Sequence, residues 1–263
     1  MAREDVLYTK EDGIATIKLN RPESRNAVSW EMHDLIAEAL DDAKNDDTVR
    51  VLILTGADPA FCAGTDVRGG MAPSADWRLA QMERDTGERK IPWSFVDIAK
   101  PTIAAVNGVA VGMGAEYTIQ CDIRIASEKA RFGWIFPQRG LVADTGAGTY
   151  LLPRIVGLSN AFELAYSGDI IDAQEALRIG LVSKVVPHDD LLPSVKEMAL
   201  RFSKGAPLSL RWTKQLIYRG LERDLETHAA FTNQIQAMAF QTEDHQEGVK
   251  SFLEKREPVF KGR

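Results

Sequence analysis

Glu116 is the residue of this chain best placed for acid–base chemistry. It stands just behind a run of small residues, Asn107-Gly-Val-Ala-Val-Gly-Met-Gly114, which follows the strand-like stretch Thr102-Ile-Ala-Ala-Val106. A strand, a glycine-rich turn and a helix with a carboxylate in its first turn can aim backbone N–H groups at a carbonyl oxygen beside a general acid or base. Two plainer readings stand next to this one. Gly112 and Gly114 would also serve close helix–strand packing, and a first-turn Glu complements the helix dipole by roughly 0.3–1 kcal/mol.

The elements that must position Glu116 are partly legible. Ile14-Ala-Thr-Ile-Lys-Leu19 alternates like a half-buried strand, and Asn20-Arg-Pro22 ends it. Ser29 is placed to cap a helix with Leu35, Ile36, Ala39, Leu40 and Ala43 on one face. Arg50-Val-Leu-Ile-Leu-Thr55, closed by Gly56, reads as a buried strand, as do residues 102–106 and 123–126. Strands alternating with helices make the class α/β. Asp172-Ala-Gln-Glu175 is a capping box for a short helix that Gly180 closes, and residues 191–202 carry another amphipathic pattern.

Beyond Pro207 the texture is helical only, with Leu216, Ile217, Leu225, Phe231, Ile235, Met238 and Phe240 at helical intervals. Such a segment packs either on the body of the monomer or on another subunit. The expected division is a core over residues 1–205 and a helical C-terminal segment over 206–263.

Composition excludes several classes. A net charge of −6 over 263 residues argues against nucleic acid as a partner, because phosphate binding needs concentrated Lys and Arg. Cys62 and Cys121 are the two cysteines, and His33, His188, His228 and His245 are scattered without ligand spacing, so neither a disulfide framework nor a metal site is expected. The first residues lack an apolar signal region and no stretch is long enough to span a bilayer, so the expected setting is cytoplasmic, without a membrane. Neither a Gly-x-Gly-x-x-Gly dinucleotide fingerprint nor a phosphate loop is present, and Ser159 and Ser167 lack a nucleophile-elbow context.

Taken in order, Asn20-Arg-Pro22, Ala60-Phe-Cys-Ala-Gly-Thr-Asp66, the segment 101–116, Cys121-Asp122, Phe132-Gly133, Leu152-Pro-Arg154 and Glu254-Lys-Arg256 resemble the crotonase superfamily, the enoyl-CoA hydratase/isomerase family. The resemblance spans nearly the whole chain. It implies a crotonase-like spiral of ββα repeats, a helical C-terminal trimerisation segment, a homotrimer or dimer of trimers, and an acyl-CoA substrate. No separate cofactor is implied, since coenzyme A is part of the substrate.

The resemblance also implies roles. The backbone N–H groups of Thr65 and Met113 would form an oxyanion hole for a thioester enolate, each contributing roughly 3 kcal/mol by analogy with such donors elsewhere. The match between the Ala63-Gly-Thr65 loop and the segment before Glu116 favours this over simple packing glycines. Family hydratases use two glutamates, one matching Glu116; the position of the other is Phe136 here, which cannot carry a proton. Asp144 lies where family isomerases keep an acidic proton shuttle, and it also suits the N-cap of the helix that follows. Trp134 and Phe136, with Trp93, would line an apolar acyl pocket that raises the pKa of either acid, provided 132–136 runs extended. Arg25, Ala63 and Asp66, with Arg21 and Arg68 nearby, match the surroundings of the CoA nucleotide. Lys255 matches a lysine that reaches a neighbouring subunit's CoA.

The function so implied is an enoyl-CoA hydratase or isomerase acting on an unsaturated acyl-CoA. C–C bond or thioester hydrolysis on the same scaffold is a second possibility, and a catalytically silent acyl-CoA-binding or partner-binding protein is a third.

Overall fold

The computed structural model describes residues 5–67, 95–143 and 147–263. A large sheet has the strand order β1-β2-β3-β5-β7-β10 and a small sheet the order β4-β6-β8-β9. In the large sheet β1 (Val6–Glu11) is antiparallel to β2 (Ile14–Leu19), and β3 (Val51–Gly56), β5 (Thr102–Val106), β7 (Ile123–Ser127) and β10 (Lys184–Val186) continue in parallel. The small sheet is built from β4 (Ala60–Cys62), β6 (Val109–Val111), β8 (Arg131–Gly133) and β9 (Ile170–Asp172), of which β9 runs antiparallel to β8.

Chain order alternates between the two sheets: β3 then β4, β5 then β6, β7 then β8. After β6 the chain enters the helix α2 (Met113–Gln120), having crossed α1 (Trp30–Asn45) earlier. This is the spiral of ββα repeats, each turn laying one strand in each sheet. It explains why β3 and β5 read as unbroken apolar runs. Leu52, Leu54, Ala104 and Val106 face the main core, while Val51, Ile53, Ile103 and Ala105 face a second core under Leu191, Val195 and Ala199 of the helix Leu191–Ser203. Both faces are covered, so no polar alternation survives.

Local signals behave as chemistry dictates. The Ser29 hydroxyl accepts from the Met32 N–H at 3.2 Å and caps α1. The buried face of α1 is Met32, Ile36, Ala39, Leu40 and Ala43, and Leu35 is exposed, one position off the expected stripe. The Asp172 carboxylate accepts from the Glu175 N–H, but the return arm of the box is missing because Glu175 pairs with Arg178.

The C-terminal helices are Pro207–Gly220, Leu225–Phe240 and Glu243–Glu254. The first is tied to the core by Lys214, whose ammonium lies 3.0 Å from the Asp122 carboxylate, and by the Tyr218 hydroxyl, which donates to Asp122. Leu225–Phe240 buries no residue at all. Ile217, Leu225, Met238 and Phe240 are all more than half exposed, so this apolar face is not consumed inside the monomer. No helix among the described residues is long and apolar enough to cross a membrane.

Candidate active site

Two tight turns meet just beyond β4 and β6, neighbouring strands of the small sheet. Gly64 follows β4 with φ +95, and Gly112 follows β6 with φ +55, backbone conformations that L side chains rarely adopt. At Gly112 space is not the constraint, because an added Cβ would meet nothing nearer than the Gly64 Cα at 3.9 Å. Its backbone angles are the constraint, and they swing the chain so that the first N–H of α2 belongs to Met113. At Gly64 an added Cβ would stand 3.0 Å from the Val111 carbonyl oxygen and 3.7 Å from the Met113 nitrogen, so the two turns approach closely. The packing reading holds for Gly114, where a Cβ would run into the Cys62 carbonyl.

The Gly64 turn is held from outside by backbone bonds. Val28 donates to Gly64 O, Asp66 donates to Val28 O, and Ala63 donates to Arg25 O, at 2.8, 2.8 and 2.9 Å. The bridge between Val28 and Thr65 leaves the Thr65 N–H outside this pattern. Among the described residues no hydrogen bond takes up the N–H of Thr65 or of Met113. Their side chains also meet, with the Thr65 hydroxyl 4.0 Å from the Met113 sulfur.

Glu116 is fully buried one turn into α2. Its Oε1 accepts from the Trp134 indole N–H at 2.7 Å, and its Oε2 accepts from the Gly148 backbone N–H at 2.9 Å. These two donors orient the carboxylate from two different stretches of chain. Trp134 is therefore more than the apolar wall expected from its type, since it also supplies a donor. Gly148 lies in the short helix Ala147–Tyr150, and an added Cβ there would overlap Glu116 Oε1 and stand 2.9 Å from both Ala143 Cβ and Trp134 Nε1. Glycine there is a steric requirement.

The remaining expected site residues fall into three groups. Phe136 is buried in the main core, but the chain is not extended through it: β8 ends at Gly133 and Phe136 has φ −60 and ψ −44 at the start of a 3-10 turn. The strand-like run on which its pocket-facing orientation depended is thus absent beyond Gly133. Asp144, Arg68 and Trp93 lie outside the described residues.

Of the groups expected around CoA, Arg21 is already engaged. Its guanidinium donates to Asp66 and to Ala27 O, both at 2.9 Å, with Asp5 at 3.4 Å. Asp66 therefore positions Arg21. Arg25 has φ +53 and an exposed side chain, and its carbonyl holds Ala63. Lys255 sits exposed at the left-handed C-cap of the last helix with φ +52, beside Arg256, which pairs with Glu247 and Glu254.

Asn26 was not signalled by the sequence. It is fully buried with φ +57, and its amide donates to the carbonyls of Ala57, Ala60 and Phe61 while accepting from Arg21 N. It thereby stitches the Arg21–Arg25 loop to the entry of β4. Gly148 did leave a trace in the sequence, since glycine inside a helix costs about 1 kcal/mol relative to alanine and so asks for a reason.

A sequence profile described as enoyl-CoA hydratase/isomerase matches residues 9–263. The chain is 38% identical to a crotonyl-CoA hydratase of Syntrophomonas wolfei, covering 99% of each chain. It is 36% identical to a 1,2-epoxyphenylacetyl-CoA isomerase of Escherichia coli, again covering 99% of each. Among solved structures, the enoyl-CoA hydratase of Bacillus anthracis superposes with a TM-score of 0.90 at 32% identity, covering 99% of this chain and 100% of that one.

Proposed function

This chain belongs to the enoyl-CoA hydratase/isomerase family, and from that premise we propose that it shifts the double bond of an unsaturated acyl-CoA through a thioester enolate, with hydration as the related outcome. The carrying observation is one convergence: the N–H groups of Thr65 and Met113, unclaimed by the described residues, lie between two glycine turns, and α2 carries the fixed Glu116 carboxylate one turn on from Met113.

The thioester oxygen accepts from Thr65 N–H and Met113 N–H. As charge develops there, each donor contributes roughly 3 kcal/mol to the barrier reduction. Glu116 takes or returns the proton at carbon. Asp144 is the second proton carrier in this reading. Isomerisation is favoured over hydration because the partner carboxylate that would orient water is replaced by Phe136, whose ring has no proton to give. No separate cofactor is needed for these steps.

Trp134, whose indole reaches Glu116, would wall the acyl group. Arg25, Ala63 and Asp66 would surround the CoA nucleotide, with Lys255 contributed across a subunit boundary. The exposed apolar residues of the C-terminal helices support residues 206–263 as the oligomerisation segment of a homotrimer or dimer of trimers. A cytoplasmic setting suits two buried cysteines that form no disulfide.

The test is product analysis by mass spectrometry over linear and ring-bearing enoyl-CoAs. Isomerisation leaves the mass unchanged, hydration adds water, and hydrolysis frees CoA. Glu116→Gln and Asp144→Asn should each lower turnover by a factor on the order of 10² or more. Tight binding of CoA esters without turnover across the panel would defeat the proposal in favour of a silent binding protein.

A further inference from the structure

A cavity of about 140 Å³ opens at the N-terminal end of the large sheet, between the end of α1, the approaches to β3 and β5, the start of the helix Pro207–Gly220, and the C-terminal tail. Lys44, Arg50, Lys100, Arg211 and Lys261 line it, and Asp47 is the one carboxylate in the lining. None of the five cations has an ion-pair partner among the described residues. Arg50 donates to Phe260 O at 3.2 Å, and Lys100 donates to Ala43 O and Asp46 O at 2.6 and 2.7 Å. Those bonds fix the two heads in place, and the carboxylates of Asp47, Asp46 and Asp42 offset part of the charge on Lys100 while Asp97 faces Lys44, none of them as an ion pair with these lysines. The convergence arises in a chain whose net charge is −6.

We propose that this cavity is an anion site, taking one phosphate-sized dianion, either inorganic phosphate or the phosphate end of a small phosphorylated metabolite. Five like charges around one concavity repel each other, and an oxyanion is the ligand class that relieves the repulsion while accepting several charge-assisted hydrogen bonds. Burial lowers the pKa of Lys100 below the ordinary lysine value, a cost that a bound anion offsets. The volume suits one tetrahedral oxyanion with a little water and falls short of the roughly 300 Å³ at which pockets for larger ligands begin.

The site is separate from the one carrying the chemistry. β3 and β5 run parallel from Arg50 and Pro101 towards Gly56 and Val106, beyond which the Thr65 and Met113 turns begin. Five strand residues alone put about 17 Å between the two ends. The tail forms part of the cavity wall. The Asp244 carboxylate accepts from the N–H groups of Lys261 and Gly262 at 2.7 and 2.9 Å, so an anion held by Arg50 and Lys261 would pin the last residues to the sheet.

The experiment is calorimetric titration of the full chain with sodium phosphate at constant ionic strength, repeated with a sugar phosphate. Arg211→Glu/Lys261→Glu is the key variant, since both heads are exposed and make no hydrogen bond among the described residues. We expect one phosphate bound per chain, at least tenfold weaker binding in the variant, and unchanged turnover of CoA esters. Tighter binding of the sugar phosphate than of phosphate would identify a metabolite as the source; the reverse would identify free phosphate. Three results overturn the proposal: no heat beyond a chloride control, unchanged affinity in the double variant, or displacement of phosphate by CoA, which would place the anion at the catalytic site.

Discussion

Gly148→Ala separates positioning of the carboxylate from its mere presence. The new methyl would overlap Glu116 Oε1 and stand 2.9 Å from Trp134 Nε1 and Ala143 Cβ. Glu116 and Trp134 are almost completely buried, so neither can step aside into solvent. Alanine gains about 1 kcal/mol over glycine in a helix, and overpacking costs about 1–3 kcal/mol. The net loss of stability is therefore about 0–2 kcal/mol, a fall in Tm of no more than about 8 °C for a chain of this size. Catalysis should suffer more. Relieving the overlap moves the carboxylate by about 1 Å, and misplacement on that scale costs on the order of 10² in rate. Initial rates on a competent enoyl-CoA, measured beside thermal unfolding, would show kcat falling about a hundredfold with the fold intact. A double-mutant cycle sharpens the point, because Gly148→Ala added to Glu116→Gln should cost little further if both act through one carboxylate. If Gly148→Ala keeps kcat within about threefold of the parent while Glu116→Gln falls by about 10², the cradle is not what positions the base.

Asn26→Ala strips the donor from the buried Ala57 and Phe61 carbonyls, while Ala60 O keeps the Asn107 amide; at about 1–3 kcal/mol for each group left unpaired, Tm should drop by at least about 4 °C in a thermal scan, and an unmoved Tm would contradict this. Burial pushes the thiols of Cys62 and Cys121 up to about 12, so neither should react with a thiol reagent at pH 8 until the protein is denatured, when two should. Arg256 holds the Glu247 carboxylate down to about 2, and Glu247 also accepts from the Val259 N–H. A depressed carboxylate stabilises the fold above its unfolded pKa, so this tail contact should be intact above about pH 4.5 and lost towards pH 2, read from the Val259 amide in an NMR titration. Serine at Ile217, Met238 and Phe240 together should lower the mass in light scattering to that of a smaller species, whereas an unchanged mass would remove this face from the subunit contact.

What could be read in the sequence follows from the range of each signal. β2, β3, β5 and β7 are five or six residues long and announce themselves by alternation or by an unbroken apolar run. β4, β6, β8 and β9 have three residues each, too few for a period, and pair across gaps such as Ala60 with Val109. The small sheet was therefore invisible, and β6 sits where the sequence suggests only a turn before α2. The Ser29 and Asp172 caps are local and were legible, whereas Leu35 was assigned one position off the buried stripe. In the site, the glycine turns and Glu116 could be found because positive φ and a first-turn acid leave marks in composition. The Trp134 donor could not, since it reaches Glu116 across 18 residues, and Gly148 shows only as a glycine inside a helix, not as a partner 32 residues away.

That cradle bears on the reaction more than on the fold. A carboxylate gripped by donors from two separate elements cannot swing to meet a substrate, so it exchanges protons only with atoms delivered to it. In the proposed reaction the Thr65 and Met113 N–H groups would do the delivering, by fixing the thioester oxygen and hence the adjacent carbon relative to Glu116. With both of these set by glycine turns and a buried indole, the outcome rests on whatever group meets the more distant carbon. Family hydratases would use a carboxylate at position 136 to hold water, and the phenyl ring of Phe136 offers none. Under the proposed function the same oxyanion geometry would lead to proton return at a new carbon instead of addition of water, and Phe136→Glu and Asp144→Asn are the substitutions that would show it in the product mass.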